Sequence, residues 1–299
     1  MQILKINGLS KRFGDKTVLD GVDLSVGEKT IFGFVGKNGA GKTTTMKAIL
    51  GLIHIDGGEI EVLGERVTYG STKTNRHIGY LPDVPEFYAF MTAREYLKLS
   101  GESLGLSRGE IEARSYELLK LVGLADEKHR IGGYSRGMKQ RLGIAQALLG
   151  KPKLLICDEP TSALDPIGRR EILEILKSVK NETTVLFSSH ILSDVEDICT
   201  DVALLDGGKI IMRGTVDELK ARYSPSEYAI TLVNPSDNSV LSGAFIGAKT
   251  ADDGALIFSE TDVPMESVLS FAIENGIKLR KVERIEPSLE ALFMEVVGR

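Results

Sequence analysis

The first 31 residues alternate between polar and apolar positions and are interrupted by short turns. The segments QILKING and TVLDGVDLSVGE both follow this two-residue period, which predicts two or three antiparallel strands. The apolar run TIFGFVG then leads into a glycine-rich turn, a pattern typical of a buried strand. After the turn, Met46, Ile49, Leu50 and Ile53 recur at helical spacing and predict a helix over about residues 41–52.

The pattern changes in the middle of the chain. Residues 58–69 alternate again around Gly64, as expected for short strands. From about Pro85 to Gly150 the apolar residues instead recur every three or four positions, which predicts a helical block. The helices predicted in this block cover residues 93–104, 108–122 and 138–149.

Strands and helices alternate in the next part of the chain. LLIC at 154–157 and the later TTVLFSS are apolar runs typical of buried strands, and VALLDGGKIIMRG reads as a hairpin. Amphipathic patterns predict helices over 169–180 and 191–199. Buried strands joined by helices indicate an α/β fold with a parallel sheet, to which an antiparallel β subdomain and the helical block are attached.

A second domain is predicted at the carboxyl end. Serine and proline cluster at 223–227, and the charge is uneven on either side of this segment. Residues 1–220 hold 30 basic and 30 acidic side chains, whereas residues 221–299 hold 7 basic and 12 acidic ones. We therefore expect a main domain over 1–220, with its helical subdomain at about 85–150, and a small α+β accessory domain over 221–299. The accessory elements are predicted as strands at 228–233, 255–259 and 277–284 and helices at 265–275 and 288–297.

Composition excludes several classes of protein. The chain has 299 residues, of which 42% are hydrophobic and 26% charged, as in an ordinary globular protein. The net charge of −5 provides no basic surface for nucleic acid. Two cysteines, Cys157 and Cys199, cannot form a disulfide framework, and their apolar neighbours predict buried free thiols. No apolar stretch approaches the length of a membrane span, so we expect a soluble chain.

The turn after the first buried strand matches the phosphate-loop pattern G-x-x-x-x-G-K-[ST]. Glycines allow consecutive backbone N–H groups to point into one concavity, and the following helix contributes its positive end, so the loop suits phosphate oxygens. Lys42 can reach the β- and γ-phosphates of a nucleotide, and the Thr43 hydroxyl is a hard ligand for Mg²⁺. The predicted nucleotide-binding residues of the loop are Gly36, Lys37, Asn38, Gly39, Ala40, Gly41, Lys42, Thr43 and Thr44.

Acidic and imidazole side chains follow the next two buried strands. Asp158 and Glu159 end the LLICDEP segment, where two carboxylates need a cation or water beside them. We predict that Asp158 contacts Mg²⁺ through water and that Glu159 is the general base for attack on the γ-phosphorus. His190 follows TTVLFSS, and its imidazole is suited to contact the γ-phosphate or the attacking water.

Together these motifs resemble the ATP-binding cassette family, the ATPase subunits of ABC transporters. The phosphate loop corresponds to Walker A, CDEP to Walker B, Ser162–Asp165 to the D-loop and His190 to the switch histidine. Phe13 stands where the family has an aromatic residue that stacks on adenine. The resemblance covers residues 1 to about 220, and it implies binding and hydrolysis of ATP with Mg²⁺ as cofactor.

Two motifs depart from the family pattern. YSRGM replaces the LSGGQ signature; it keeps Ser135 and Gly137 but has Arg136 for glycine and Met138 for glutamine. The resemblance implies that Ser135 and Gly137 bind the γ-phosphate held by an opposite subunit. Asp83 stands where the family has a glutamine, and two roles remain open for it: contact with Mg²⁺ through water, or a face toward the permease.

The resemblance also implies partners and a location. We expect a dimer, homomeric or heteromeric, that encloses two ATP molecules and drives a separate membrane permease from the cytoplasmic face of the membrane. The segment RGMKQRLGIAQALL resembles exporters with separate ATPase and permease chains. Two other readings remain: a cassette ATPase with a regulatory rather than a transport function, and an interaction module that binds ATP without turnover. The transported substrate and the role of residues 221–299 are not indicated by the sequence.

Overall fold

The computed structural model of the chain forms two compact units, Met1–Val216 and Asp217–Arg299. The division lies a few residues before the serine- and proline-containing segment, because residues 217–223 group with the carboxyl-terminal unit. The described residues are 2–71, 73–223, 227–285 and 288–297.

The described residues of the first unit form ten strands and six α-helices, and a seventh helix, α7, begins at its last residue and continues into the second unit. The strands are β1 Gln2–Phe13, β2 Lys16–Gly27, β3 Ile31–Val35, β4 Gly57–Val62, β5 Glu65–Arg66, β6 Ile78–Leu81, β7 Leu154–Asp158, β8 Thr184–Ser189, β9 Asp201–Asp206 and β10 Lys209–Thr215. The α-helices are α1 Lys42–Ile49, α2 Ala93–Ser103, α3 Arg108–Leu121, α4 Arg136–Leu148, α5 Pro166–Val179, α6 Leu192–Ile198 and α7 Val216–Tyr223.

Two sheets build this unit. The antiparallel sheet has the order β2-β1-β4-β5, and the six-stranded sheet has the order β10-β9-β3-β8-β7-β6. In the second sheet β9, β3, β8, β7 and β6 are parallel and β10 is antiparallel to β9. The predictions of N-terminal antiparallel strands and of an α/β body with a parallel sheet are confirmed.

One cluster of buried apolar side chains joins the two sheets. It includes Leu4 and Ile6 of β1, Phe34 of β3, Met46 of α1 and Ile156 of β7. The apolar face of α1 thus shares a core with both sheets, and this packing fixes the helix that follows the phosphate loop. Cys157 and Cys199 are buried free thiols, as predicted.

The predicted helical block is confirmed as α2, α3 and α4. Thr92 and Ser107 are the N-caps of α2 and α3, and each forms a capping box. The side chain of the N-cap residue accepts a hydrogen bond from the backbone N–H of a glutamate three residues later, and the carboxylate of that glutamate accepts one from the backbone N–H of the N-cap residue. Helix α4 begins at Arg136, two residues before the predicted start, because Ser135 caps it by accepting from the N–H of Met138. The signature motif therefore lies at the amino-terminal end of a helix.

The second unit is an antiparallel sheet with short helices. The sheet has the order β12-β13-β11-β14, and Tyr228 and Phe258 stack in its buried core. Burial, reinforced by the charge of Glu260, raises the pKa of Tyr228 to about 12, so its hydroxyl stays a donor and bonds the carbonyl of Val263. Helix α8 and strand β12 were not predicted. The elements are β11 Glu227–Leu232, α8 Asn238–Ala244, β12 Lys249–Thr250, β13 Leu256–Ser259, α9 Met265–Glu274, β14 Leu279–Arg284 and α10 Leu289–Val297.

In the part of the chain that the structure describes, no helix combines the length and the apolar character needed to cross a membrane.

Candidate active site

The phosphate loop joins β3, inside the six-stranded sheet, to the first turn of α1. Two of its glycines are required by geometry. A Cβ at Gly36 would lie 2.5 Å from the carbonyl oxygen of Leu205, and Gly41 has φ +113°, a conformation that other residues rarely adopt. The loop therefore curves tightly between the strand and the helix, as a backbone cradle for phosphate requires.

Lys42 is the first residue of α1 and is almost completely buried. Its ammonium group donates to the carbonyl oxygens of Gly36 and Lys37. The same group lies 3.0 Å from Oε1 of Glu159 and forms an ion pair with it. The cation is therefore held between the phosphate loop and a carboxylate.

Glu159 and His190 come together because they follow neighbouring parallel strands. Asp158 at the end of β7 is in register with Ser188 of β8, so the residues after both strands reach the same edge of the sheet. His190 Nδ1 lies 2.7 Å from Oε2 of Glu159. The carboxylate thus contacts Lys42 through one oxygen and His190 through the other.

Ser188 is a site residue that sequence reasoning missed. Its hydroxyl donates to Oδ1 of Asp158 at 2.7 Å and accepts from the backbone N–H of Glu159 at 2.9 Å. The side chain is fully buried, and the one available signal was a polar residue inside an apolar strand. Nearby on β6, burial and the charge of Asp158 raise the pKa of Tyr80 to about 12, so this phenol stays neutral.

A cleft of about 320 Å³ opens at this edge of the sheet. It brings together the phosphate loop, Asp83, Glu159 and His190, which the sequence analysis singled out from four distant segments. Of the described residues around the cleft, its lining includes Val18, Asn38, Gly39, Gly41, Lys42, Thr43, Thr44, Asp83, Glu159, Ser162 and His190.

The two departures from the family pattern contact each other. Asp83 follows β6, and Oδ1 of its carboxylate lies 3.3 Å from the guanidinium of Arg136 at the start of α4. The backbone carbonyl of Asp83 also accepts from the buried amide of Gln140, one turn further along the helix. The residue that lines the phosphate cleft is therefore tied to the helix that begins at the signature.

Phe13, Ser135 and Gly137 do not line this cleft in the described part of the chain. The ring of Phe13 is 52% exposed at the end of β1, so it does not belong to the core. Ser135 is exposed, and a Cβ added to Gly137 would meet no atom closer than 3.9 Å. Among the described residues, therefore, no close contact requires glycine at 137.

Two family models match the chain. Residues 19–162 match the model described as "ABC transporter". Residues 214–297 match the model of the "ATP-binding protein DrrA1-3-like, C-terminal domain". The first match includes the phosphate loop, the signature and Glu159, and the second covers nearly all of the carboxyl-terminal unit.

Whole proteins and a solved structure are also similar. The bacitracin transport ATP-binding protein BcrA of Bacillus licheniformis is 37% identical, with 99% of this chain and 97% of that protein covered. The linearmycin resistance ATP-binding protein LnrL of Bacillus subtilis (strain 168) is 35% identical, with 99% of each chain covered. A solved ATP-binding subunit of an ABC transporter superposes with a TM-score of 0.67 at 33% identity, covering 74% of this chain and 93% of that one.

Proposed function

The chain belongs to the ATP-binding cassette family, as an ATP-binding subunit of a transporter that hydrolyses ATP, and we propose that it exports its substrate through a separate membrane permease. The observation that most supports ATP hydrolysis as the activity behind this proposal is the cleft that joins the phosphate loop to Glu159 and His190. A carboxylate between a cation and an imidazole, at the edge of a nucleotide cradle, suits attack of water on a terminal phosphate.

We infer the following roles in hydrolysis. Lys42 binds the β- and γ-phosphates. Glu159 accepts a proton from the attacking water while the water oxygen bonds to the γ-phosphorus and ADP departs. His190 orients that water or the γ-phosphate. Phe13 stacks on adenine, which its exposed ring permits.

Two oxygen donors at this edge of the sheet fit magnesium, although only Thr43 is among the described lining residues of the cleft, because Asp158 is buried at the end of β7. Thr43 offers a hydroxyl and Asp158 a carboxylate, and both are hard oxygen ligands. Mg²⁺ usually binds only one or two such protein ligands and completes its coordination with phosphate and water. The described residues contain no cluster of three or more His, Cys, Asp or Glu side chains that would hold an ion alone. We therefore propose that Thr43 and Asp158 hold Mg²⁺ together with the nucleotide, where the ion neutralises phosphate charge.

Asp83 has two candidate roles, and its contact with Arg136 favours the second. As a magnesium ligand through water, it would use its position in the cleft lining. As a coupling residue, it would link the cleft to α4 through the Arg136 ion pair. The apparent affinity of the ATPase for Mg²⁺ in an Asp83→Asn variant separates the two roles, because only the first requires that affinity to fall.

We propose that two copies of the chain, or this chain and a related one, face each other with two ATP molecules between them. Two observations support this arrangement. Ser135 is exposed, and the described residues around Gly137 leave room for a side chain there, so both positions suit close approach by a nucleotide bound to another subunit. ATP then binds the closed pair more tightly than the open one, and this difference performs work on the permease.

Mixed variants test the shared site. Lys42→Ala and Ser135→Ala should each abolish turnover, but their mixture should recover ATPase activity, because one site of the mixed dimer then combines an intact phosphate loop with an intact signature. A mixture of Lys42→Ala with Glu159→Gln is the matched control. Lys42 and Glu159 of one subunit belong to the same site, so each subunit of this mixed dimer contributes one defective residue to its own site and neither site is intact. Equal activity of the two mixtures would contradict the shared site.

An aromatic patch on the helical subdomain is the proposed permease surface. Phe87, Tyr88, Phe90 and Tyr96 contact one another, and Tyr88 and Phe90 are 55% and 64% exposed. The patch follows Asp83 in the chain, so a permease bound there would lie close to the cleft residue. Exposed aromatic residues in one cluster are typical of protein interfaces.

Replacing Tyr88 and Phe90 with serine should move the chain from the membrane fraction to the soluble fraction of its cells and leave the basal ATPase activity unchanged. Fractionation and immunoblotting measure this distribution. Tyr116→Ser is the control, because Tyr116 is equally exposed but lies on α3 outside the patch. An unchanged membrane fraction would rule out the patch as the docking surface.

The direction of transport is inferred from the relatives. BcrA is named for bacitracin transport and LnrL for linearmycin resistance, and the carboxyl-terminal unit matches a domain named after DrrA. Movement of a toxic compound out of the cell is the activity that confers resistance. We therefore propose that residues 1–220 form the ATPase domain and that residues 221–299 form an accessory domain of such exporters.

A further inference from the structure

Asp194 is a buried carboxylate outside every motif that the sequence analysis singled out. It lies in the first turn of α6, four residues after His190. Its side chain is 5% exposed, and an ionised carboxylate is costly in such a position unless it is paired and hydrogen-bonded.

Both carboxylate oxygens of Asp194 have partners from other elements. The hydroxyl of Thr161, which is itself buried, donates to Oδ2 at 2.8 Å. The guanidinium of Arg169 on α5 donates to Oδ1 and supplies the compensating charge. Thr161 is two residues after Glu159, so a single side chain on the His190 segment is bonded to the Glu159 segment.

Among the described residues, this bond is the second of two buried side-chain links between the same segments. The first is Ser188, which bonds Asp158 and the backbone N–H of Glu159. Ser188 precedes His190 by two residues and Asp194 follows it by four, so the links lie on either side of the 2.7 Å contact between His190 and Glu159. Motion of one segment against the other would break one link or both.

The backbone after β7 needs such support. Glu159 has φ +49° and Ala163 has φ +52°, both in the left-handed region that residues other than glycine rarely adopt. Conformations of this kind persist only where the surrounding contacts determine them. Thr161 lies between the two residues, so its bond to Asp194 acts on the middle of the unusual segment.

We propose that Asp194 is a positioning residue that holds the Glu159 segment against the His190 segment through Thr161 and so sets the geometry of the catalytic pair. This rests on the proposed roles of Glu159 and His190. Asp194 contacts neither nucleotide nor water in this role. Its loss therefore reduces the rate of the chemical step more than the binding of ATP.

The experiment compares variants of the full-length chain by steady-state ATPase kinetics, ATP binding and thermal unfolding. Asp194→Ala should lower kcat about 10- to 100-fold and change KM and the Kd for ATP by less than about twofold. Asp194→Asn should retain intermediate activity, because its amide still accepts from Arg169 and donates to Thr161. Asp197→Ala is the matched control on the same helix: Asp197 is exposed and, within the described part of the chain, its ion pair is with Lys177, so kcat should not change.

Variants at position 161 separate positioning from general stability. Thr161→Val removes the hydroxyl at nearly constant volume and should reproduce the kcat loss of Asp194→Ala. Thr161→Ser keeps the hydroxyl and should retain the wild-type kcat. The double variant of Asp194→Ala with Thr161→Val should be no slower than the slower single variant, since both remove the same bond. Equal activities of the Val and Ser variants would overturn the proposal.

A folded Asp194→Ala protein with wild-type kcat would also overturn it. So would a kcat loss that equals the fraction of protein unfolded at the assay temperature. Glu159→Gln distinguishes failure of this inference from failure of the proposed function. If Glu159→Gln is inactive and Asp194→Ala is normal, only the positioning role fails, but if Glu159→Gln turns over normally, the catalytic assignment itself is wrong.

Discussion

Glu159→Gln should reduce ATP turnover by about 10²- to 10⁴-fold, the range that a positioned general base contributes. Glutamine has nearly the same shape as glutamate, so it can keep the contact with His190 and leave the phosphate cleft open. The amide cannot accept the proton of the attacking water, and the γ-phosphate therefore stays in place. Initial-rate ATPase assays at saturating ATP measure the loss.

The same variant should accumulate ATP-bound dimers. In the proposed dimer, hydrolysis removes the γ-phosphate that lies between the two subunits, so a chain that binds ATP without cleaving it should remain in the closed pair. Size-exclusion chromatography with light scattering, with and without ATP, measures this population. Glu174→Gln is the control, because Glu174 lies on the exposed surface of α5 and should affect neither measurement.

Two outcomes would contradict the assignment. If Glu159→Gln hydrolyses ATP at the wild-type rate, another group is the base. If the wild-type chain itself shows no hydrolysis even with the proposed permease, the interpretation as a module that binds ATP without turnover is favoured, and the altered signature at Arg136 would explain it.

The features predicted correctly from the sequence depend on residues close together in the chain. The phosphate loop needs only eight consecutive positions between a strand and a helix, and its glycines follow from backbone geometry that any such loop must adopt. Glu159 and His190 were each predicted to follow a buried strand directly, and they meet in the structure because the ends of neighbouring parallel strands share one edge of a sheet. Asp158 and Ser188 are paired in register, which brings the residues that follow them to that edge.

The features that were missed depend on pairings between distant segments. The Asp83–Arg136 ion pair joins residues 53 positions apart, and it exists because β6 ends beside the start of α4. Strand β6 has only four residues and includes Gly79, where a Cβ would lie 2.2 Å from the carbonyl oxygen of Ala147. A segment this short shows no clear period, and its glycine is explained only by the helix packed against it.

Ser188 and Asp194 show the same limit within the site. In the sequence, Ser188 is one of two serines that end an apolar strand, and Asp194 is one of several acidic residues on a short amphipathic helix. Their roles depend on which hydroxyl or carboxylate points inward, toward residues 30 and 33 positions away. Local pattern does not determine that direction, because solvent-facing and inward-facing polar residues look alike in one sequence.

Lys42→Ala should weaken ATP binding by about 100-fold or more, since hydrogen bonds to charged groups contribute about 1.5–3 kcal/mol each and the proposed role of this ammonium is to bind two phosphates. The carbonyl groups of Gly36 and Lys37 hold the ammonium beside the loop, and the described lining of the cleft contains no second lysine or arginine to replace it. Equilibrium binding of a fluorescent ATP analogue measures the loss. Lys47→Ala, on the exposed side of the same helix, should bind normally.

The Lys42–Glu159 ion pair adds a test that the sequence motif alone would not suggest. In the nucleotide-free chain, Lys42→Ala leaves the buried Glu159 carboxylate without its cation, and removal of one partner of a buried pair is strongly destabilising. The melting temperature should therefore fall in Lys42→Ala and recover in part when Glu159→Gln removes the remaining charge. If the double variant has a lower melting temperature than Lys42→Ala, the ion pair does not stabilise the nucleotide-free cleft. Normal ATP binding by Lys42→Ala would instead refute the phosphate-loop assignment itself.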